Sequence, residues 1–127
     1  MTLRSSLLVL ATAVACGGCM SAQLYDGPKR DPEEVARISG DPVVTAGSPI
    51  TVILRRVDGQ DIGLTQTTVE LLEGEHSLLV DCRIAETKST SRHELKVEVF
   101  GGRRYRLRAE SGAGLRGCSG VSLEAQD

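Results

Sequence analysis

Aromatic side chains are almost missing from this sequence. Tyr25, Phe100 and Tyr105 are the only ones among 127 residues, and there is no tryptophan. Binding sites that stack sugars or single-stranded nucleic acid depend on aromatic faces, so both kinds of site are disfavoured. The hydrophobic core must then be built from Val, Leu and Ile.

The sequence also lacks an excess of positive charge. It has 15 Lys and Arg against 17 Asp and Glu, which gives a formal net charge of −2. Loss of an N-terminal segment containing Arg4 would make the remainder more negative still. A strongly cationic protein that binds nucleic acid is therefore disfavoured, and we expect no nucleic-acid partner.

Sequence motifs of hydrolases and of metal sites are missing as well. There is no G-x-S-x-G turn, and Ser89, Ser91 and Ser111 lie in plain loop contexts. His76 and His93 are the only histidines, and each has only an adjacent Glu, which a strand would direct to its opposite face. We therefore expect solvated or capping histidines, no metal, no cofactor and no enzymatic activity.

The N-terminus has the pattern of a bacterial lipoprotein signal peptide. One positive charge within residues 1–4 precedes an apolar, small-residue run over residues 5–15, which ends at Cys16 and Cys19. The run is shorter than the roughly 20 residues that a membrane-spanning helix needs. We interpret residues 1–18 as a cleaved signal and expect a lipid anchor in the bacterial envelope. No Asp follows either cysteine, which favours the outer membrane, facing the periplasm.

Either cysteine qualifies as the lipidated residue. Cys16 follows small and apolar residues at positions 13–15 and precedes two glycines, which favours it slightly. Cleavage before Cys19 would instead remove Cys16 and leave Cys82 and Cys118 as an even pair. A redox or zinc CxxC site is less consistent with the sequence, because no second ligand pair accompanies this one.

The rest of the chain divides into a tether and one domain. Residues 19–33 contain Asp-Gly-Pro and Asp-Pro with little apolar content, which predicts an extended tether. Residues 34–127 suffice for a single domain. Its first segment, residues 33–38, fits either a strand or a short helical turn.

Short strand patterns separated by turn residues predict an all-β domain, a small antiparallel β-sandwich of six to seven strands. Residues 50–54 are apolar and β-branched, and the following Asp58-Gly59 is a hairpin turn signal. Residues 76–84 alternate between apolar and polar side chains. The polar residues 86–92 are expected to form a loop.

The most regular alternation lies in residues 94–99 and 104–109, which predict a hairpin with each other. Each segment has one apolar and one charged face. A three-residue loop over residues 101–103 would place Val99 opposite Tyr105 and keep the two apolar faces together. We expect that register.

Three short stretches carry a resemblance to a known group of proteins. They are residues 24–30 (Leu-Tyr-Asp-Gly-Pro-Lys-Arg), residues 69–78, and residues 102–107 (Gly-Arg-Arg-Tyr-Arg-Leu). The second is similar to a Leu-Pro-Gly-x-His-x-Leu turn, with Glu73 in place of proline. With them the chain resembles uncharacterised small bacterial lipoproteins that have a PEGA-like β-sandwich. The resemblance implies a role in the envelope and no known chemistry.

Cys82 and Cys118 are predicted to form a disulfide, because the envelope outside the cytoplasm is oxidising. The bridge would close a loop of about 35 residues and contribute roughly 3–4 kcal/mol in the chain-entropy model. We expect it to pin the glycine-rich residues 112–120 onto the sandwich edge. The alternative is a small envelope redox protein or enzyme that uses this pair.

Arg104, Arg106 and Arg108 form the only concentrated charge feature. Their spacing places them on one face of a strand. They are expected either to be solvated and paired with Glu98 and its neighbours or to bind an anionic partner. The sequence thus favours a non-catalytic, lipid-anchored module that binds an envelope protein or an anionic envelope polymer.

Overall fold

The computed structural model of the chain describes residues 21–42, 49–63, 66–110 and 118–126. Within these ranges the secondary structure is entirely β. The nine strands are β1 (Ser21–Gln23), β2 (Val35–Ser39), β3 (Ile50–Val57), β4 (Gln60–Asp61), β5 (Thr68–Leu72), β6 (Gly74–Ile84), β7 (Ser89–Val99), β8 (Arg104–Glu110) and β9 (Gly120–Gln126). No helix long and apolar enough to cross a membrane occurs in these ranges. The signal segment, Cys16 and Cys19 lie outside them.

Two sheets pack face to face and confirm the expected β-sandwich. Sheet A has the strand order β1-β5-β2-β8-β9, and sheet B has the order β4-β3-β6-β7. Aliphatic side chains from both inner faces form the core, as the shortage of aromatic residues requires. The largest fully buried ones in this core are Ile38, Leu71, Leu78, Val57, Val69, Val80 and Val99.

The described strands outnumber the expected six to seven, and sheet A is not purely antiparallel. β1 and β4 have only three and two residues, too few to show an alternating pattern. β1 pairs parallel to β5, and β2 pairs parallel to β8. A parallel pair cannot be joined by a tight turn, and between β2 and β8 the chain indeed passes through sheet B.

The Asp58-Gly59 turn is confirmed. Both residues have positive φ, 49° and 81°, which is the backbone of the two-residue turn that suits the twist of a hairpin. Just before it, the ladder between β3 and β6 shifts between Leu54 and Arg56. This bulge lets both Leu54 and Val57 face the core, although they are an odd number of residues apart.

The expected loop over residues 86–92 is wrong in its second half. β7 already begins at Ser89, and it pairs with β6 in an unbroken antiparallel ladder from Ser89 opposite Ile84 to Val99 opposite Gly74. Ser and Thr at its start are compatible with a strand at the edge of a sheet, where polar residues are tolerated on both faces. The connection itself is the short turn over residues 85–88.

The predicted hairpin between residues 94–99 and 104–109 is also wrong. β7 belongs to sheet B and β8 to sheet A, so the chain crosses between the sheets at Gly101 and Gly102. A Cβ at Gly101 would lie 2.8 Å from the carbonyl oxygen of Glu33, which explains the glycine. Val99 and Tyr105 are both buried, so the apolar faces do meet, but across the core rather than in one ladder.

Part of the segment expected to be a tether is built into sheet A. Ser21–Gln23 forms β1, and its central residue Ala22 is only 9% exposed. The chain then folds back on itself: the Arg30 N–H donates to the Tyr25 hydroxyl at 3.0 Å. The next segment enters β2 as a strand, so the helical alternative for residues 33–38 is excluded. Any free tether therefore ends before Ser21.

Candidate functional site

The three arginines singled out in the sequence lie side by side on the outer surface of sheet A. On β8, Tyr105 and Leu107 are buried in the core. Arg104, Arg106 and Arg108 alternate with them and therefore point away from the core. The predicted stripe of like charge on one face is confirmed.

A fourth arginine extends the stripe across the sheet. Arg37 on β2 is the register partner of Arg104, and its Nη2 lies 3.1 Å from Oε1 of Glu70 on β5. Glu70 is only 4% exposed, and the buried Nε of Arg37 has no hydrogen-bond partner among the described residues. Sequence reasoning missed this pair, although the apolar neighbours of Glu70 already direct its side chain outward. We call Arg37, Arg104, Arg106 and Arg108 the arginine face.

Two further members of the arginine face are paired with carboxylates. Arg106 Nη2 donates to Oδ1 of Asp41 at 2.8 Å, and Arg108 Nε lies 3.0 Å from Oε2 of Glu124. The expected pairing with Glu98 is wrong, because Glu98 lies on β7 in the other sheet. The partners come instead from the segment just after β2 and from β9.

Arg104 differs from the rest of the face. No carboxylate of the described chain lies within ion-pair distance of it, and its register partners are Arg37 and Gln126. The face thus combines four guanidinium groups with three carboxylates. An incoming carboxylate or phosphate would find at Arg104 an exposed planar donor that is not already occupied.

Cys82 and Cys118 are joined by a disulfide, with their Cα atoms 6.5 Å apart. Cys82 lies on the inner face of β6 and is fully buried, whereas Cys118 is half-buried just before β9. The bridge therefore ties sheet B to the edge of sheet A. Most of the loop that it was expected to pin, residues 112–117, lies outside the described residues.

His76 joins the β3–β4 hairpin to the start of β6. Its Nε2 lies 2.7 Å from the carbonyl oxygen of Leu72, and because a carbonyl oxygen can only accept, Nε2 carries a proton. Its Nδ1 lies 2.5 Å from Oδ2 of Asp58, whose Oδ1 accepts the backbone N–H of Ser77 at 2.8 Å. His76 is thus a structural clamp, in keeping with the expected capping role.

A buried carboxylate organises the outer face of sheet B. Asp81 is 8% exposed, and it accepts a hydrogen bond from Nε of Arg92 at 2.9 Å. Nε of Arg55, the bulged residue of β3, lies 3.4 Å from it on the other side. The hydrogen bond and the negative charge of Asp81 raise the pKa of Arg92. Sequence alternation indicated that Asp81 faces outward, but it did not indicate that Arg55 and Arg92 shield its carboxylate from solvent.

His93 has a more local contact. Its Nε2 lies 2.9 Å from the Ser91 hydroxyl on the same strand. No three side chains of His, Cys, Asp or Glu lie together as a metal site in the described ranges. A recess of about 430 Å³ between the β3–β4 turn and β7 is lined by Ser77, Leu79 and Glu94 but by no histidine or cysteine.

Comparison with protein-family models, with curated proteins and with solved structures gives no match to this chain.

Proposed function

We propose that the chain is a lipid-anchored lipoprotein of the bacterial envelope, a non-catalytic module that binds a protein or an anionic polymer. The observation that carries the proposal is the position of Cys16 and Cys19. They close a signal-like apolar segment, and the first strand of the sandwich follows at Ser21. We place the anchor in the outer membrane, with the domain in the periplasm.

This spacing keeps the domain close to the membrane. An extended chain spans at most about 3.3–3.6 Å per residue, so Ser21 lies within roughly 7 Å of Cys19 or roughly 17 Å of Cys16. Both distances are small beside the width of a domain of this size, which is about 33 Å. The lipid therefore holds the sandwich against the surface, in place of the long tether expected from the sequence.

The same spacing orients the arginine face. Ser21 stands in one register row with Thr68, Ser39 and Arg106. Arg108 lies two residues further along β8, beyond that row. The anchored end of sheet A is thus the end where β8 carries Arg106 and Arg108. An anionic polymer at the membrane surface, or an acidic protein beside it, lies within reach of this face.

The alternative function, a redox protein or enzyme based on Cys82 and Cys118, has less support. Thiol–disulfide exchange requires that a thiolate reach a sulfur atom along the S–S axis. The Cys82 side chain is fully buried in the core, so exchange could begin only at the half-buried Cys118. The bridge is better explained as a structural link between the two sheets.

Membrane fractionation of cysteine variants tests the proposal. We expect one of the two variants, Cys16→Ser or Cys19→Ser, to lose the lipid and move from the membrane fraction to the soluble fraction or to remain uncleaved. The other variant should behave like the wild-type protein and serves as the matched control. Unchanged, unacylated protein in both variants would contradict the anchor.

A further inference from the structure

The longest exposed edge of the sandwich is β7. It has 11 residues, and in the described part of the chain it pairs only with β6. The opposite side of β7 therefore presents backbone N–H and C=O groups to which another strand can bind. The other sheet edges are shorter: seven residues in β9, three in β1 and two in β4.

We propose that β7 binds β7 of a second copy of this chain, antiparallel and with the two-fold axis at Leu95. The two four-stranded sheets would then join into one continuous eight-stranded sheet. This inference does not depend on the lipid anchor, and it names a partner that the proposed function leaves open.

The charges of β7 are complementary to themselves in this register. Its outward row reads Arg92, Glu94, Lys96 and Glu98, with alternating sign. A two-fold axis at Leu95 sets Arg92 opposite the partner's Glu98 and Glu94 opposite the partner's Lys96. Each of these pairs occurs twice, so all eight charged side chains meet an opposite charge.

Neighbouring registers lack this match. Moving the axis to Glu94 sets Arg92 against the partner's Lys96, and moving it to Lys96 sets Glu94 against the partner's Glu98. Both are like-charge contacts, which destabilise a strand pair. Moving the axis by two residues leaves a single kind of oppositely charged pair within the strand: Arg92 with the partner's Glu94 for an axis at residue 93, or Lys96 with the partner's Glu98 for an axis at residue 97. An axis placed midway between two residues would set inner-face side chains of one strand opposite outer-face side chains of the other.

The inner face of β7 suits the same arrangement. Leu95 and Val97 are half-buried and pack against the edge of the core. In the pair of strands, Leu95 lies opposite the partner's Leu95, and Val97 lies opposite the partner's His93. The joined sheet would therefore cover apolar surface that one copy leaves partly open.

The proposed dimer explains two features of a single copy. Glu98 lies directly opposite Glu75 in the β6–β7 ladder, an unfavourable pair that the partner's Arg92 would offset from the other side. Phe100 is 49% exposed and is the exposed large hydrophobic residue of the described chain. Continuing the register by one position brings it next to the partner's Thr90, a favourable aromatic–β-branched pairing.

Charge reversal at the centre of β7 tests the register. Glu94 and Lys96 lie opposite Leu79 and Ser77 of β6 and form no ion pair in the described chain, so reversing either should leave the fold intact. The variant E94K sets two lysines against each other across the axis, and K96E sets two glutamates against each other. Mixed together, the two variants restore both oppositely charged pairs.

The measurement is sedimentation velocity of the full chain in mild detergent, over a concentration series. We expect the wild-type protein to form a dimer and each single variant to have a dissociation constant raised at least about tenfold. The equimolar mixture and the double swap E94K/K96E should both return to within about threefold of wild type. Circular dichroism of each variant checks that the β fold survives.

Three results would overturn the proposal. If the wild-type chain stays monomeric over the whole concentration series, β7 does not bind a second copy and its edge faces solvent or binds a foreign peptide. Dimers unaffected by either reversal would place the interface elsewhere. A mixture of E94K and K96E that fails to associate, while both variants remain folded, would exclude this register.

Discussion

The carboxylate of Asp58 lies 2.5 Å from Nδ1 of His76 and thereby fastens the tip of the β3–β4 hairpin to β6. The same carboxylate accepts the Ser77 backbone N–H. Burial tends to raise the pKa of Asp58, but the hydrogen bonds from His76 and Ser77 and the charge of His76 outweigh it. The pKa of Asp58 is therefore lowered below its ordinary value of 3.8.

The substitution Asp58→Asn tests this linkage through the pH dependence of stability. A carboxylate with a lowered pKa contributes stability that is fully present above the unfolded-state value and is lost as the pH falls through the folded-state value. We expect the difference in unfolding free energy between wild type and D58N to have its full size at about pH 5 and to shrink progressively as the pH falls through 3.8. Urea unfolding at each pH measures it.

Asn suits this position because it tolerates the positive φ of the turn. The hairpin should thus survive the change, and the comparison isolates the carboxylate. The variant Asp61→Asn, in β4 of the same hairpin and 80% exposed at its side chain, is the matched control. A stability difference for D58N that does not change below pH 3.8 would contradict the linkage.

Removal of the disulfide should destabilise the domain strongly. The bridge closes a loop with a sequence separation of 36 residues, so the double variant Cys82→Ala/Cys118→Ala should lose roughly 3–4 kcal/mol of unfolding free energy. Chemical denaturation with and without reductant measures the loss. Reductant should destabilise the wild type and leave the double variant unchanged; equal stability of the two oxidised proteins would refute the structural role.

Asp81→Asn should cost about 1.5–3 kcal/mol, because it removes a covered carboxylate that accepts charged hydrogen bonds from β7 and lies beside a bulged arginine of β3. Thermal denaturation at neutral pH measures the change. The exposed Asp61–Arg56 pair offers a control in the same sheet, and Asp61→Asn should cost at most about 1 kcal/mol. A similar loss of unfolding free energy in both variants would mean that the burial of Asp81 adds nothing to the strength of its ion pairs.

Arg104→Glu should weaken binding to an anionic surface without loss of stability. Arg104 is exposed and forms no ion pair in the ranges that the structure describes, whereas Arg106 is tied to Asp41. With lipopolysaccharide micelles as the probe, we expect binding to fall about tenfold for R104E at low salt. Arg30→Glu, an equal change of charge outside the arginine face, is the control. Equal binding by R104E and wild type would show that the arginine face is only a solvated surface.

Alternation of apolar and polar residues was sufficient to predict which face of β6 and of β8 packs on the core. It reports the face of each residue because strand side chains point to opposite sides with a period of two. It does not report the neighbouring strand. The alternation alone therefore predicts one hairpin that contains Val99 and Tyr105. In the structure these residues lie in different sheets and meet only across the core.

The partners of the arginine face depend on that topology and could not be predicted. Asp41 and Arg106 are 65 residues apart in the chain. They meet because β2 and β8 pair in parallel, and no turn motif in the sequence predicts that pairing. The Cys82–Cys118 bridge was predictable because it rests on a count of cysteines rather than on strand order. β7 was partly missed since its first residues are polar on both faces, as an edge strand allows.

The measurement that tests the lipid anchor most directly is the intact mass of the protein extracted from its native membrane. We expect an acylated chain that begins at Cys16 or Cys19, and the residue count from the mass identifies which of them carries the lipid. An unacylated chain, or one that still contains residues 1–15, would contradict the anchor and with it the proposed placement of the arginine face at the membrane surface.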